Sequence, residues 1–452
     1  MKEEENRERD EFFDSPQQEE TAAQAPSLSP IKKWGIAFGA VLLAVVFFFG
    51  GWFAHYFSLD EGLRTFLWAK ETTEKHYFEE IDEDALYEGL LDALEAQVDR
   101  YSRFYTEEEY ETVILESQGT NSGLGITITE KNGKPFLYSV VQNSPACLAG
   151  LKEGMYVLGY GVEDALETGN LEQFKTFLDA QTGELTFRCG YALDGTDAEN
   201  FSVTRRKYSA SYCFYRDSET SYHFRDGENG KLKATQTDDA LPSLNGDTAY
   251  IKLISFNGNA AWEFEQLLSV MKERGRTNLV LDLRGNGGGY MDVLCSIASH
   301  LMRNSEDRRP IVATAKYRSG KKTAFVADGN DFSEYFAQTA KITLLADENS
   351  ASATECLIGA LIDYGTIGYG DVYLAQYGET AKTYGKGIMQ SHFTSPSGDV
   401  MKLTVASVHW PVSDTCIHGV GVTPEDGAHA VPAEQFDRAD GMLLNVLSEI
   451  CG

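Results

Sequence analysis

Positive charge is scarce in this 452-residue chain. Thirty-nine Lys and Arg stand against 69 Asp and Glu, a formal net charge of −30. Phosphate binding needs a basic surface, so nucleic acid is excluded as a partner, and broad docking on anionic lipid is disfavoured with it. Cys147, Cys189, Cys213, Cys295, Cys356, Cys416 and Cys451 include no C-x-x-C pair, and their odd number and wide spacing argue against a disulfide framework. Small buried residues are the expectation. The eight histidines form no H-E-x-x-H pair and no compact Cys/His spacing, so no metal and no other cofactor is expected. What is present, with 42% hydrophobic residues and only 11 prolines, is globular in composition and long enough for two or three folded units.

One segment meets a membrane. From Trp34 to Leu59 there is no Asp, Glu, Lys or Arg, and "WGIAFGAVLLAVVFFFGGWFA" matches the roughly 20 helical residues that cross hydrocarbon. Lys32 and Lys33 precede it, and Asp60 and Glu61 follow. The positive-inside rule leaves the N-terminus cytoplasmic and everything after residue 57 extracytoplasmic, on a single-pass anchor. A cleaved signal peptide is the rival reading, but the preceding tail is long for one and no small-x-small cleavage site follows.

The expected organisation is a disordered acidic cytoplasmic tail over 1–33, a transmembrane signal anchor over 34–56 and a helical segment over 57–112. A strand-rich unit over 113–207 and an α/β unit over 208–450 complete it. In the helical segment, Leu86, Leu90, Leu94 and Val98 recur at helical spacing after Asp82, and "TEEEY" from Thr106 offers a capping box. This segment is also the candidate for homodimer formation. In the strand-rich unit, Asn132-Gly133 between alternating apolar runs predicts a hairpin. There "SGLGITI", followed about 20 residues on by "SPACLAGLKEGMYVLGYG", resembles a PDZ domain. The resemblance implies that backbone N–H groups of Gly123, Leu124, Gly125 and Ile126 receive a peptide's terminal carboxylate, and that Ile126 opens the strand the peptide extends.

After residue 245 strands and helices alternate, which argues an α/β core. "LVLDLRGNGGGY" runs from a buried strand into a glycine loop that fits neither G-x-G-x-x-G nor a P-loop, but bare N–H groups serve any anion, an oxyanion included. "ADENSASATECLIGALIDYG" sets Ser350, Ser352 and Thr354 at the start of a helix with Leu357, Ile358, Leu361 and Ile362 on one face and Gly365 at its end. Ser352 with Glu355 is a capping box; a hydroxyl there is equally placed as a nucleophile. A Ser-His-Asp arrangement with His392, His409 or His418 lacks the G-x-S-x-G elbow. In "TYGKGIMQ", Lys386 between two glycines is a solvated turn residue or a base, and Gln390 would share its face if both lay on one strand.

Together "NSASATE", "IDYG", "TYGKGIMQ", "LDLRGNGGG" and "CIHGVGVTPED" closely resemble the carboxyl-terminal processing (tail-specific) proteases, in the family's order over about 58–430. That resemblance implies a mixed-sheet serine protease core of ClpP/crotonase type with an inserted PDZ domain. It also implies an endopeptidase acting through an acyl-enzyme, with Ser352 as nucleophile, Lys386 as base, Gln390 assisting, and the backbone of Gly288 and Ala353 as oxyanion donors. Its partners are protein or peptide substrates with free C-termini. The runner-up is a catalytically inactive PDZ scaffold or sensor, against which the joint presence of Ser352, Lys386 and Gln390 argues. Two departures stand out: an insertion between "DYG" and "GKG" that makes Lys382 a competitor for Lys386, and the unusual segment 208–245. Asp363, eleven residues after Ser352, is about 16 Å away along one helix, which favours a packing or salt-bridge role.

Overall fold

The computed structural model describes residues 30–163, 165–227, 231–302, 309–329 and 341–451; the tail up to residue 29 lies outside them. The chain forms two compact units, one up to Leu90 and one from Leu91 onward. The first holds α1 (Pro30–Ser58), α2 (Glu61–His76) and the start of α3 (Glu83–Glu95). Within α1, Phe38–His55 is long and apolar enough to cross a membrane. The Asp60 carboxylate accepts the Leu63 N–H at 2.8 Å and so starts α2.

In the second unit the lead-in is not helical throughout, because β1 (Arg103–Tyr105) pairs antiparallel with Val400–Lys402. α4 (Glu107–Ser117) follows, and the capping box expected at Thr106 forms in both directions with Glu109. A strand-rich module comes next: β2 (Thr120–Gly123), β3 (Ile126–Lys131), β4 (Lys134–Val140), α5 (Pro145–Leu148), β5 (Tyr156–Val162), β6 (Ala165–Glu167), α6 (Leu171–Ala180), β7 (Glu184–Gly190), β8 (Glu199–Thr204) and β9 (Arg206–Ser209). Asn132 and Gly133, at φ 53° and 72°, make the expected tight turn between β3 and β4. The sheet order β3-β4-β5-β7-β8 leaves β3 at an edge, with α6 packed against it. Leu124, Leu137, Phe174 and Leu185 fill the module's own core.

The α/β part comprises β10 (Cys213–Arg216), β11 (Ser221–Asp226), β12 (Leu232–Thr237), β13 (Thr248–Leu253), α7 (Ala260–Glu273), β14 (Asn278–Asp282), α8 (Met291–Leu301), β15 (Ile311–Tyr317), β16 (Lys322–Val326), β17 (Ile342–Ala346), α9 (Ala353–Asp363), β18 (Val372–Gln376), β19 (Ile388–Thr394), β20 (Val400–His409), β21 (His429–Pro432) and α10 (Gly441–Cys451). Strands β13, β14, β17, β18 and β21 run parallel, and β17 is buried at all five positions, as a strand covered on both faces requires. Segment 208–245 supplies β10 to β12, which extend this sheet antiparallel. The region between Asp363 and Lys386 supplies β18. A second sheet orders β1-β20-β15-β16, with β19 also on β20. α9 lies so close to Trp410 that a Cβ on Gly359 would sit 2.1 Å from its ring. All seven cysteines are free, four of them buried.

Where the chain leaves the strand-rich module, Glu263 of α7 holds it. Its Oε2 accepts the N–H groups of Tyr212 (2.7 Å) and Cys213 (2.8 Å) and the Ser211 hydroxyl (3.0 Å), while Oε1 is buried without a partner. Burial outweighs these donors and pushes this carboxyl up to about 7 from 4.5. The folded state therefore holds the proton more tightly than the unfolded chain. Its stabilising effect is complete below pH 4.5 and is lost as pH rises through 7. Urea titrations should show stability falling across that window by up to about 3 kcal/mol. Glu263→Gln should flatten the fall; an unchanged slope in that variant would assign it elsewhere.

Candidate active site

Three hydroxyls cluster at the N-terminus of α9, and the structure gives two of them structural work. Ser350 Oγ donates to the Leu283 carbonyl at 2.8 Å and accepts the Asp347 N–H at 2.9 Å. Thr354 Oγ1 donates to the Asn286 carbonyl at 2.8 Å. Ser352 differs. It is half-buried, sits at φ 60°, ψ −115°, and its hydroxyl makes no capping bond to the helix it precedes. Only half of the expected capping box forms, with the Glu355 carboxylate accepting the Ser352 N–H at 2.9 Å. A non-glycine residue at this φ costs of order 1–3 kcal/mol, so its surroundings must enforce it.

The glycine loop after β14 supplies part of that enforcement. The Asn286 carbonyl accepts the Ala351 N–H at 3.0 Å, and its side chain donates to the Leu253 carbonyl at 3.0 Å. Gly288, at φ 101°, lies against the serine turn: a Cβ there would be 2.9 Å from Ser352 Cβ and 3.0 Å from the Ala353 nitrogen. The structure thus brings together Ser352, Ala353 and Gly288. The Ala353 N–H, at the first position of α9, has no intrahelical acceptor. The Gly288 N–H is engaged, donating to Asn286 Oδ1 at 2.9 Å.

Lys386 arrives from the loop between β18 and β19, held by an unforeseen residue. Glu355 is fully buried and gathers four donors: the N–H groups of Ser352 (2.9 Å), Gly385 (2.7 Å) and Lys386 (2.9 Å), and the Thr383 hydroxyl (2.6 Å). Burial raises its carboxyl's pKa, and these hydrogen bonds pull the other way. One side chain thereby fixes the Ser352 turn relative to the Lys386 loop. Lys386 itself is half-buried, and burial holds its amine below the ordinary lysine range; Lys402 adds to this, while Asp99 and Glu355 oppose it. Its Nζ lies 4.8 Å from the centroid of the Tyr101 ring.

Gln390 departs from expectation. Lys386 precedes β19, so the two residues do not lie on one strand; the register shift beside Gln390 places its extra residue, Val405, in β20. The Gln390 amide donates to Thr404 Oγ1 at 2.9 Å instead. Lys382 and His418 are exposed. His409 is engaged by Ser407 and the Asp414 carbonyl. Asp363 accepts from the N–H groups of Val412 and Ser413 and from the Ser413 hydroxyl, tying the end of α9 to the turn after β20. Among the described residues no cluster of His, Cys, Asp and Glu could hold a metal ion.

Residues 247–426 match the family model described as peptidase family S41. This segment makes the chain similar to family S41 peptidases. The chain is 27% identical over 361 residues to a carboxyl-terminal-processing protease of Picosynechococcus sp., covering 79% of itself and 75% of that protein. It is 24% identical over 351 residues to a probable CtpA-like serine protease of Staphylococcus aureus, covering 77% of itself but 61% of the relative, less than two thirds of its length. Among solved structures, a photosystem II D1 C-terminal processing protease aligns over 83% of this chain and 89% of its own, with 20% identity and a TM-score of 0.47. The enzyme class is accordingly a serine-type peptidase with a mixed α/β fold.

Proposed function

We propose that this protein is a membrane-anchored S41 endopeptidase that cleaves extracytoplasmic proteins through a Ser352–Lys386 dyad, with residues 113–207 serving as a PDZ domain that reads free C-termini. The carrying observation is that Ser352, alone of three hydroxyls, is left unengaged against Gly288 and Ala353, and is joined through Glu355 to the Lys386 loop. Ser352 Oγ attacks the carbonyl carbon as its proton passes to the neutral Lys386 amine. The oxyanion forms near the Ala353 N–H at the positive end of α9, and the Gly288 N–H exchanges Asn286 for it. The ammonium then protonates the leaving amine as the C–N bond breaks, and water releases the acyl group. Gln390, held by Thr404, keeps a carbonyl oxygen with which to orient the Lys386 amine.

The free edge of β3, with Ile126 and Ile128 beside Phe174 and Phe177, supports strand addition by an apolar C-terminus. Gly123 and Gly125, at φ 127° and 78°, shape the loop that precedes it. Peptides with a free C-terminus should bind the full chain at least tenfold better than their amides. Equal affinity would remove the carboxylate-loop assignment.

α1, with Lys32 and Lys33 near its start and Asp60 and Glu61 after it, supports an anchor with the catalytic part outside. Protease added to intact cells should digest residues 58–452; protection would reverse the orientation. The exposed Leu63, Leu67 and Trp68 offer the helical segment for self-association, and a monomer on sedimentation in detergent would withdraw that element.

A further inference from the structure

We propose that Tyr101 is a positioning residue for the general base, its ring face receiving the Lys386 ammonium that forms when the serine proton is transferred. This rests on the reading of Lys386 as the base. Its Nζ lies 4.8 Å from the ring centroid, within the range of a cation–π contact. The phenol oxygen is committed elsewhere, accepting from Arg100 Nη2 at 2.8 Å and lying 3.1 Å from the Tyr384 hydroxyl. The ring face is therefore what Tyr101 presents to the amine. Its placement is fixed. Asp99 Oδ1 accepts the N–H groups of Tyr101 (2.9 Å) and Ser102 (3.0 Å), and Ser102 Oγ accepts the Thr404 N–H (3.1 Å), which ties this segment to β20. On the lysine side, the Tyr384 N–H donates to the Ser350 carbonyl at 3.0 Å. Tyr101 thus stands between β20, whose Thr404 also holds the Gln390 amide, and the loop that carries Lys386.

The charges around Lys386 show why a ring is useful there. Burial and Lys402 of β20 oppose an ammonium, while Asp99 and Glu355 favour it. Glu355 is already satisfied by four donors. Arg100 lies on the same Tyr101 ring at 5.0 Å, but its side chain is exposed and its charge is screened by water. A carboxylate in Tyr101's place would hydrogen-bond the amine and pin it in the protonated form. A ring face steadies the transient ammonium without a hydrogen bond that each turnover must break.

The test is the pH dependence of kcat/KM for the detergent-solubilised full chain on a quenched fluorescent peptide, with wild type, Tyr101→Phe, Tyr101→Leu and Lys386→Ala. Tyr101→Phe keeps the ring and should keep the acid limb in place. Tyr101→Leu should move that limb to lower pH by about 0.5–1.5 units, because the charged form loses its partner. If the leucine variant does not fold, phenylalanine and ring-fluorinated phenylalanine at position 101 make the same comparison at constant shape, and the fluorinated ring should give the lower limb. An acid limb that stays or rises without the ring, or that shifts equally in Tyr101→Phe, overturns the proposal while Lys386→Ala remains inactive. Activity in Lys386→Ala would overturn the reading of the base instead.

Discussion

Ser352→Ala and Lys386→Ala are each expected to abolish peptide-bond cleavage while leaving the fold intact. Ser352 makes no side-chain capping bond, and Lys386 reaches Glu355 through its backbone N–H, so neither substitution removes a bond that holds the site together. Loss of either should cost at least about 10⁴-fold in kcat, since a nucleophile and its base act as a unit. Lys382→Ala and His418→Ala, at exposed positions, should retain cleavage. In the proposed dyad a neutral amine is the active form, and an unperturbed lysine, with a pKa near 10.4, would be almost wholly charged at neutral pH. Burial lowers the Lys386 value, so kcat/KM should rise with pH through a limb below the ordinary lysine range. A limb that vanishes only in His418→Ala would replace the lysine with a histidine mechanism.

Glu355→Gln should also be damaging, although Glu355 touches no substrate in the proposed mechanism. An amide cannot accept on both atoms, so at least one of the N–H groups of Ser352, Gly385 and Lys386 would meet a donor. An unpaired buried donor costs about 1–3 kcal/mol, and relative movement of nucleophile and base by about 1 Å can cost on the order of 100-fold in rate. The expected result is a loss of about 100-fold or more in kcat with KM little changed and thermal stability lowered. Wild-type kcat in Glu355→Gln would show that the carboxylate only packs.

Much of this site is legible along the chain. The hairpin at Asn132-Gly133, the capping box at Thr106 and the helix from Ala353 depend on neighbours within four residues, and each forms as local chemistry dictates. The role of Glu355 was hidden because three of its four donors come from 28 to 31 residues downstream, and a glutamate three positions after a serine is fully explained by a cap. Asn286 was hidden for the same reason, since its carbonyl serves residues more than 60 positions away. Gln390 misled because β19 begins only at Ile388, two residues after Lys386, and nothing in "GKGIMQ" marks that start. β1 was missed because three residues pairing with Val400–Lys402 carry no helix-breaking signal. Which of Ser350, Ser352 and Thr354 stays free is a tertiary fact, fixed by the carbonyls of Leu283 and Asn286.

The proposed assignment of Ser352 as nucleophile and Lys386 as its base can be checked chemically by treating the full chain with a fluorophosphonate probe and locating the adduct by mass spectrometry of the digested protein. One adduct on Ser352 in the wild type, lost in Ser352→Ala and in Lys386→Ala but kept in Lys382→Ala, is the predicted result. An adduct on any other residue, or undiminished labelling of Ser352 without Lys386, would contradict it.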